Sequence, residues 1–171
     1  MDVINGKAYV ESFKKVISVL VTQPKPERSP YYDLEKKYGL QIDWRPFIQV
    51  EPVNAKEFRK NRLRPDEFTS VIFTSKNSID HFFRLCEEMR VKMSQDTKYF
   101  CLTEAVSNYL QKFIIYRKRK VFAGTRTVLD LKPYLIKHKE NEKFLLPCSN
   151  FGPRDVGIFL TENGFDWHEA M

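Results

Sequence analysis

Short apolar runs alternate with amphipathic segments along this chain of 171 residues. Continuous apolar runs are typical of strands buried on both faces of a parallel sheet, and apolar residues three or four apart are typical of helices. The predicted strands are Ile17–Thr22, Ile42–Val50, Val71–Phe73, Tyr99–Leu102, Val121–Phe122 and Phe144–Pro147. The predicted helices lie around Tyr31–Tyr38, Ala55–Lys60, Ile79–Met89, Glu104–Phe113, Val128–Lys137 and Arg154–Asn163. This order indicates an α/β fold with a parallel sheet covered by helices on both faces.

Two glycine residues, Gly39 and Gly164, stand where helix C-caps are expected. Both belong to the same order of helix, glycine and short strand with Asp-Trp, in YYDLEKKYGLQIDW and VGIFLTENGFDW. We interpret the two segments as ordinary αβ units that converge on one pattern.

A domain boundary is predicted near Phe47. The segment WRPFIQVEPVNAKEF is extended and contains Pro46 and Pro52, which suit a connector between domains. The residues before it supply only a strand, a helix and a second strand. Because a two-stranded parallel sheet with one helix cannot bury both faces, this piece either docks on the main domain or belongs to a domain that is completed elsewhere.

The composition is that of a globular chain with a core. Hydrophobic residues make up 42% and aromatic residues 14% of the sequence, which excludes a disordered tail. No apolar stretch reaches the roughly 20 residues needed to cross a bilayer, and the first residues lack the pattern of a signal peptide. Cys86, Cys101 and Cys148 have no CxxC spacing, so we expect free thiols in a reducing cytoplasm and no metal site.

The chain is basic, with 29 Lys and Arg residues against 22 Asp and Glu residues and a net charge of +7. Such an excess favours a polyanionic partner, whether nucleic acid, an acidic membrane or an acidic small molecule. The densest basic cluster, YRKRK at 116–120, could bind phosphates, but a solvated loop before an edge strand is the favoured interpretation. We therefore do not expect nucleic-acid binding.

Short polar side chains follow four of the predicted strands. The carboxyl ends of parallel strands meet at one edge of a sheet, where helix N-termini attract carboxylates and phosphates. We therefore expect a polar cleft that accepts anions, although helix capping explains each strand end taken alone. The candidate binding residues are Thr22, Gln23, Thr74, Ser75, Lys76, Asn77, Thr103, Ser107, Ser149 and Asn150.

Familiar catalytic motifs are absent from the sequence. GTRT at 124–127 is not a Walker loop, and no GxGxxG, GxSxG or HExxH pattern is found. Cys148 lies between a strand and a helix, where a thiolate could be stabilised, but no histidine partner lies near it in sequence. We interpret Cys148 as a structural thiol.

Taken in order, five segments resemble uroporphyrinogen-III synthases, in the versions seen in the Bacteroidetes group. The segments are VLVTQPK, YGLQIDWRPFIQVEPV, VIFTSKNSIDHFF, YFCLTEAVSNYL and LLPCSNFGPRDVGIFLTENGF. Their order and spacing over residues 17–171 carry the resemblance, and the IFTS strand end at 72–75 is its most specific part.

The resemblance implies two flavodoxin-like α/β domains with the active cleft between them, the first domain being split. Residues 1–16 would then be an N-terminal extension, 17–47 the opening segment of domain 1, and 48–171 domain 2. The family usually continues beyond HEAM at 168–171 to complete domain 1. The resemblance therefore predicts a form that is truncated at its C-terminus and weakly active or inactive.

The reaction implied is ring closure of hydroxymethylbilane to uroporphyrinogen III, with loss of water and inversion of the last pyrrole ring. No cofactor is implied, the enzyme would be cytoplasmic and monomeric at full length, and a polycarboxylate substrate suits a basic chain. Thr74, Ser75 and Asn77 fall on the first cleft motif of the family, and Thr22 with Gln23 on its opening motif.

The segment with Thr103 and Ser107 departs from the family pattern. Leu102 stands where the family has glycine, and Ala105 stands at its hydroxyl position. This weakens a role for the segment, and no catalytic residue is assigned. The alternative function is a stand-alone α/β domain that binds an anionic ligand or another protein without catalysis.

Overall fold

The computed structural model describes residues 14–48, 51, 53–149 and 154–170. Contacts divide the chain into two compact units, Met1–Glu51 and Pro52–Met171, called here the N-terminal and C-terminal units. The domain scheme implied by the family resemblance stays a prediction. Among the described residues, no helix combines the length and the apolar character needed to cross a membrane.

The N-terminal unit contains strand β1 (Ser18–Val21), helix α1 (Pro30–Tyr38) and strand β2 (Gln41–Trp44). The two strands pair in parallel, with Ser18 opposite Gln41. Local signals explain the helix. The Ser29 hydroxyl accepts a hydrogen bond from the Tyr31 backbone N–H, and Gly39 ends the helix at φ +62°, in the left-handed region that glycine tolerates.

The C-terminal unit is a series of βα pairs preceded by a short helix, α2 (Ala55–Phe58). Its strands are β3 (Ser70–Phe73), β4 (Lys98–Cys101), β5 (Val121–Ala123), β6 (Phe144–Pro147) and β7 (Trp167–Ala170). Its longer helices are α3 (Lys76–Met89), α4 (Glu104–Leu110), α5 (Val128–His138) and α6 (Asp155–Glu162). Three single 3₁₀ turns lie at Arg59–Asn61, Pro65–Glu67 and Lys139–Asn141.

These strands form one parallel sheet in the order β5-β4-β3-β6-β7. The chain builds the sheet outward from β3 to β5, then returns to β6 on the other side of β3. The α/β fold with a parallel sheet is confirmed. Counted within the unit, the order is 3-2-1-4-5, which differs from the flavodoxin order 2-1-3-4-5 in the position of the third strand.

Helices cover both faces of the sheet, and alternate strand residues enter two separate cores. Phe73 and Leu145 face a core closed by α2, α3 and α4, whereas Ile72 and Phe100 face a core closed by α5 and α6. All four side chains are fully buried. This explains why the strands read as continuous apolar runs, since neighbouring residues are buried on opposite faces.

The boundaries of α3 and β2 differ from the sequence prediction. Helix α3 begins at Lys76 rather than near Ile79, because polar residues form its first turn. Strand β2 ends at Trp44, two residues before Pro46, which lacks the N–H that a strand pair needs. Cys86 and Cys101 are buried and Cys148 is half-buried, and none of the three forms a disulfide.

Candidate functional site

Three of the four polar strand ends share one edge of a sheet. Thr74 and Cys148 directly follow β3 and β6, and Thr103 follows β4 after one intervening residue. The three strands are neighbours in the sheet of the C-terminal unit. The expectation that all four strand ends lie on one sheet edge was wrong for Thr22 and Gln23. They follow β1, which pairs only with β2 in a separate sheet, and both side chains are exposed.

The strand order places a crevice between β3 and β6. The chain leaves β3 toward one face of the sheet and leaves β6 toward the other face. Open α/β sheets bind ligands where the connections of two neighbouring strands diverge in this way. Thr74, which is half-buried, follows one of these strands, and Ser149, which is exposed, lies just after the other. Asn150, predicted beside Ser149, lies outside the described residues.

The N-terminus of α3 combines a cap with free donors. The Ser75 hydroxyl accepts from the Ser78 N–H at 3.1 Å, and the Ser78 hydroxyl accepts from the Ser75 N–H at 3.2 Å. This reciprocal pair leaves the backbone N–H groups of Lys76 and Asn77 without an acceptor in the described part of the chain. Capping and anion binding are therefore compatible here, because the cap uses only some of the donors.

Two lysines and an aspartate surround Tyr109, on α4. The ammonium groups of Lys76 and Lys112 lie 5.7 Å and 4.4 Å from the centre of its ring. Its hydroxyl donates to both carboxylate oxygens of Asp80, at 2.8 Å and 3.1 Å. The hydrogen bond to Asp80 raises the pKa of Tyr109, so the phenol stays neutral. The face of its ring attracts the two ammonium groups, which keeps positive charge near the first turn of α3.

The end of β4 offers less to a ligand. The Thr103 hydroxyl caps α4 by accepting from the Val106 N–H at 3.3 Å. Ser107 is buried, with 7% of its surface exposed. A substrate at this edge would reach Thr103 more readily than Ser107, whose place among the candidate residues stays a prediction.

The loop after β5 was missed by sequence reasoning and lies at the same sheet edge. One Asp130 carboxylate oxygen accepts from the Thr125 hydroxyl and from the N–H groups of Arg126 and Thr127, at 2.8–2.9 Å. The backbone hydrogen bonds from Thr127 and Arg126 lower the pKa of Asp130 to about 2. The signal that could have found this loop is Thr127 three residues before Asp130, a capping-box spacing.

Two other predicted features are explained by their contacts. The Cys148 thiol contacts a Glu169 carboxylate oxygen at 3.1 Å, and burial followed by this contact raises its pKa to about 12, so it is a poor nucleophile. In the basic cluster, Arg117 donates to the Gln95 side chain and Lys120 pairs with Asp96. Within the described residues, no group of three His, Cys, Asp or Glu side chains could hold a metal ion.

Comparison with known proteins places the chain in a family. A family profile described as "Uroporphyrinogen-III synthase HemD" matches residues 31–171. Among solved structures, uroporphyrinogen-III synthetase from Helicobacter pylori 26695 is similar, with a TM-score of 0.54 and 17% sequence identity. The likeness covers 92% of this chain and 60% of that chain, and at this identity it supports the fold alone.

A search of curated proteins found no match. The family profile nevertheless spans the whole C-terminal unit and part of the N-terminal unit. It includes the IFTS strand end and the crevice between β3 and β6. The chain belongs to the uroporphyrinogen-III synthase family.

Proposed function

We propose that the protein closes hydroxymethylbilane to uroporphyrinogen III, inverting the last pyrrole ring. The observation that carries the proposal is the family match over residues 31–171, together with donors on both sides of the sheet crevice. Uroporphyrinogen-III synthases release water and need no change in oxidation state. The hydroxymethyl C–O bond breaks, and its carbon bonds to the last ring at the position that already carries the chain. For the ring to be inverted, its original C–C bond to the chain breaks and forms again at the free α-carbon on the other side of the ring. The proton lost from that carbon balances the proton taken up by the departing water.

The substrate is a polycarboxylate, and the C-terminal unit supplies groups that bind carboxylates. The N–H groups of Lys76 and Asn77 lie at the positive end of a helix of 14 residues, and the Lys76 ammonium adds a full charge. The hydroxyls of Thr74 and Ser149 are neutral donors on the two sides of the crevice. Hydrogen bonds in which one group is charged, as from any of these donors to a carboxylate, are roughly twice as strong as bonds between neutral groups.

Positioning supplies most of the catalysis in this proposal. Holding the two chain ends of a flexible substrate in one geometry can lower a barrier by about 7–11 kcal/mol. The hydroxyl groups at the sheet edge are weak acids, so they assist departure of water mainly by hydrogen bonding. Thr22 and Gln23, which follow β1, are proposed as further substrate-binding residues in the N-terminal unit.

Two substitutions that each remove one positive charge test the binding site. The exposed lysines Lys76 and Lys132 lie on different helices of the same unit, so Lys76→Gln and Lys132→Gln change the net charge equally. Uroporphyrin III, the stable oxidised form of the product, serves as the probe in a fluorescence titration. We expect Lys76→Gln to weaken binding about two- to fivefold, the value of one exposed ion pair, and Lys132→Gln to leave it unchanged.

Ser75→Asp separates capping from ligand binding. Aspartate caps helices as well as serine does, so the folded state should keep its stability. Its negative charge should repel the substrate carboxylates and weaken uroporphyrin binding further than Lys76→Gln does. Unchanged binding in both variants would show that the N-terminus of α3 is capped but binds no substrate.

The isomer assay tests the reaction itself. Freshly generated hydroxymethylbilane is supplied to residues 1–171, and the oxidised products are separated by isomer. Isomer III above the spontaneous isomer I supports the synthase function. Isomer I alone together with tight uroporphyrin binding favours the second candidate in its anion-binding form, without catalysis. Isomer I without any binding contradicts the synthase and the anion-binding domain, and leaves a domain that binds another protein.

The second candidate rests on one specific observation. Ile17 and Leu20 of the N-terminal unit are 73% and 52% exposed, as an interaction surface would be.

A further inference from the structure

A cavity of about 540 Å³ opens at the amino-terminal end of the sheet in the C-terminal unit. It lies between the end of α3, the segment 91–97 that leads into β4, and the segment 113–121 that leads into β5. The proposed substrate-binding residues of this unit follow the carboxyl ends of the strands, so the cavity belongs to the opposite end of the sheet. Its volume is in the range of pockets for small organic molecules.

The walls of this cavity are mostly apolar. Phe83, Met93 and Ile114 line it and are only partly buried, although they pack against the core on this face. Phe113 stacks on Phe83 with ring centres 5.0 Å apart and is 38% exposed. An apolar body placed in the cavity would cover this surface, which gives a ligand a hydrophobic reason to bind.

The inner wall of the cavity offers no polar group to a ligand. Thr97 lines it with only 3% of its surface exposed, and its hydroxyl is buried beside the Tyr99 phenol. Burial raises the pKa of Tyr99 to about 12, so the phenol is neutral. The polar contacts of a ligand would therefore come from the charged side chains at the opening.

The residues around the opening carry a surplus of positive charge. Lys120 and Arg117 are engaged by Asp96 and Gln95, whereas Arg90 and Lys92 form no ion pair within the described part of the chain. Glu87 is the one carboxylate among the lining residues. The surplus charge therefore complements an anion at the opening.

Arg90, at the opening of the cavity, has an uncommon backbone conformation. It ends α3 at φ +57°, in the left-handed region where glycine is the usual residue. It also borders an adjoining surface cleft lined by Arg59, Arg62 and Arg64. Arginine at a position suited to glycine carries a conformational cost and places a guanidinium beside the cavity.

We infer that this cavity binds a small amphipathic anion, an apolar chain or ring that carries one carboxylate. The apolar body fills the space between Phe83, Met93 and Ile114, and the carboxylate meets Arg90 at the opening. This site is separate from the edge proposed to bind hydroxymethylbilane, and it does not depend on the synthase function.

Decanoate, kept below its micellar range, is the test ligand for isothermal titration calorimetry on the full chain. Naphthalene-1-carboxylate is compared with the uncharged naphthalene-1-methanol, which has the same ring. We expect saturable binding of decanoate, and at least tenfold tighter binding of the carboxylate than of the alcohol. Absence of saturable binding, or equal binding of the charged and uncharged compounds, would overturn the proposal.

Variants locate the site. Arg90→Gln is expected to weaken decanoate binding about tenfold, while Lys132→Gln, which removes the same charge from α5, leaves it unchanged. Equal affinities in Arg90→Gln and Lys132→Gln would overturn the proposal even if decanoate binds.

Competition separates the two sites. Saturating uroporphyrin III should leave decanoate affinity unchanged, since the two ligands are proposed to bind at opposite ends of the sheet. Displacement of decanoate by uroporphyrin would overturn the assignment of a separate cavity.

Discussion

The two units use the same local signals and reach different degrees of burial. Each contains parallel strands, a helix capped by a serine, and a glycine at positive φ after a helix, Gly39 in one and Gly164 in the other. In the N-terminal unit no residue of α1 is buried, and Val21 is the one buried hydrophobic residue of its described part. In the C-terminal unit every residue of β3 and β6 is buried.

This difference teaches that local signals specify elements, whereas a core needs both faces of a sheet to be covered. Capping groups and glycine caps act within a few residues, so they work equally well in both units. Burial depends on layers, and the described part of the N-terminal unit has one helix for two strands. Most of the stabilising apolar surface therefore lies in the C-terminal unit.

A matched leucine pair gives the largest expected difference between the units. Leu145 in β6 is fully buried, whereas Leu20 in β1 is 52% exposed. Leu145→Ala should lower the free energy of unfolding by about 2–5 kcal/mol, and Leu20→Ala by about 0.5 kcal/mol or less. Urea unfolding followed by far-ultraviolet circular dichroism measures both. A large loss in Leu20→Ala would show that β1 is covered in solution.

A buried ion pair gives the next effect. Glu142 is 8% exposed, pairs with Lys98, and accepts a hydrogen bond from Ser70 at 3.0 Å. Glu142→Gln should cost about 1–3 kcal/mol, because Lys98 loses its charged partner in a poorly solvated place.

The same pair predicts a pH dependence with a definite sign. Burial alone would raise the pKa of Glu142, but the hydrogen bonds from Lys98 and Ser70 outweigh it and lower the pKa. A lowered pKa contributes stability at neutral pH that is lost as the pH falls below about 4.3, the ordinary value for glutamate. The stability difference between the native protein and Glu142→Gln should therefore shrink in acid. A constant difference down to pH 3 would show that the charge of Glu142 contributes nothing.

Two glycine substitutions give effects no larger than that of Glu142→Gln and separate two reasons for glycine. A Cβ at Gly124 would lie 2.9 Å from the Leu102 carbonyl oxygen, so Gly124→Ala should cost about 1–3 kcal/mol through overpacking. A Cβ at Gly39 would meet nothing within 4 Å, so Gly39→Ala should cost only about 1–2 kcal/mol, from its φ of +62°. Thermal unfolding compares them, and a larger loss for Gly39→Ala would contradict the steric explanation.

The sequence predicted the fold because its apolar runs are short, continuous and separated by helices. It placed the start of α3 too late, since apolar periodicity begins at Ile79 while the reciprocal cap of Ser75 and Ser78 starts the helix earlier. It also missed Asp130, whose role depends on hydrogen bonds within a loop and not on a catalytic motif. The cavity behind Thr97 could not be predicted, because its walls come from segments that only the fold brings together.

The Asp-Trp pattern shared by the two units has a spectroscopic consequence. The sequence contains two tryptophans, and one lies in each unit. Trp44, in β2, packs edge-on against Tyr31 with ring centres 5.8 Å apart, and Trp167, in β7, donates its indole N–H to the Thr161 hydroxyl at 3.2 Å. The chain therefore carries one tryptophan for each unit, and tryptophan can be excited without its tyrosines. Replacing either indole with phenylalanine leaves an emission signal that reports the melting of the other unit alone.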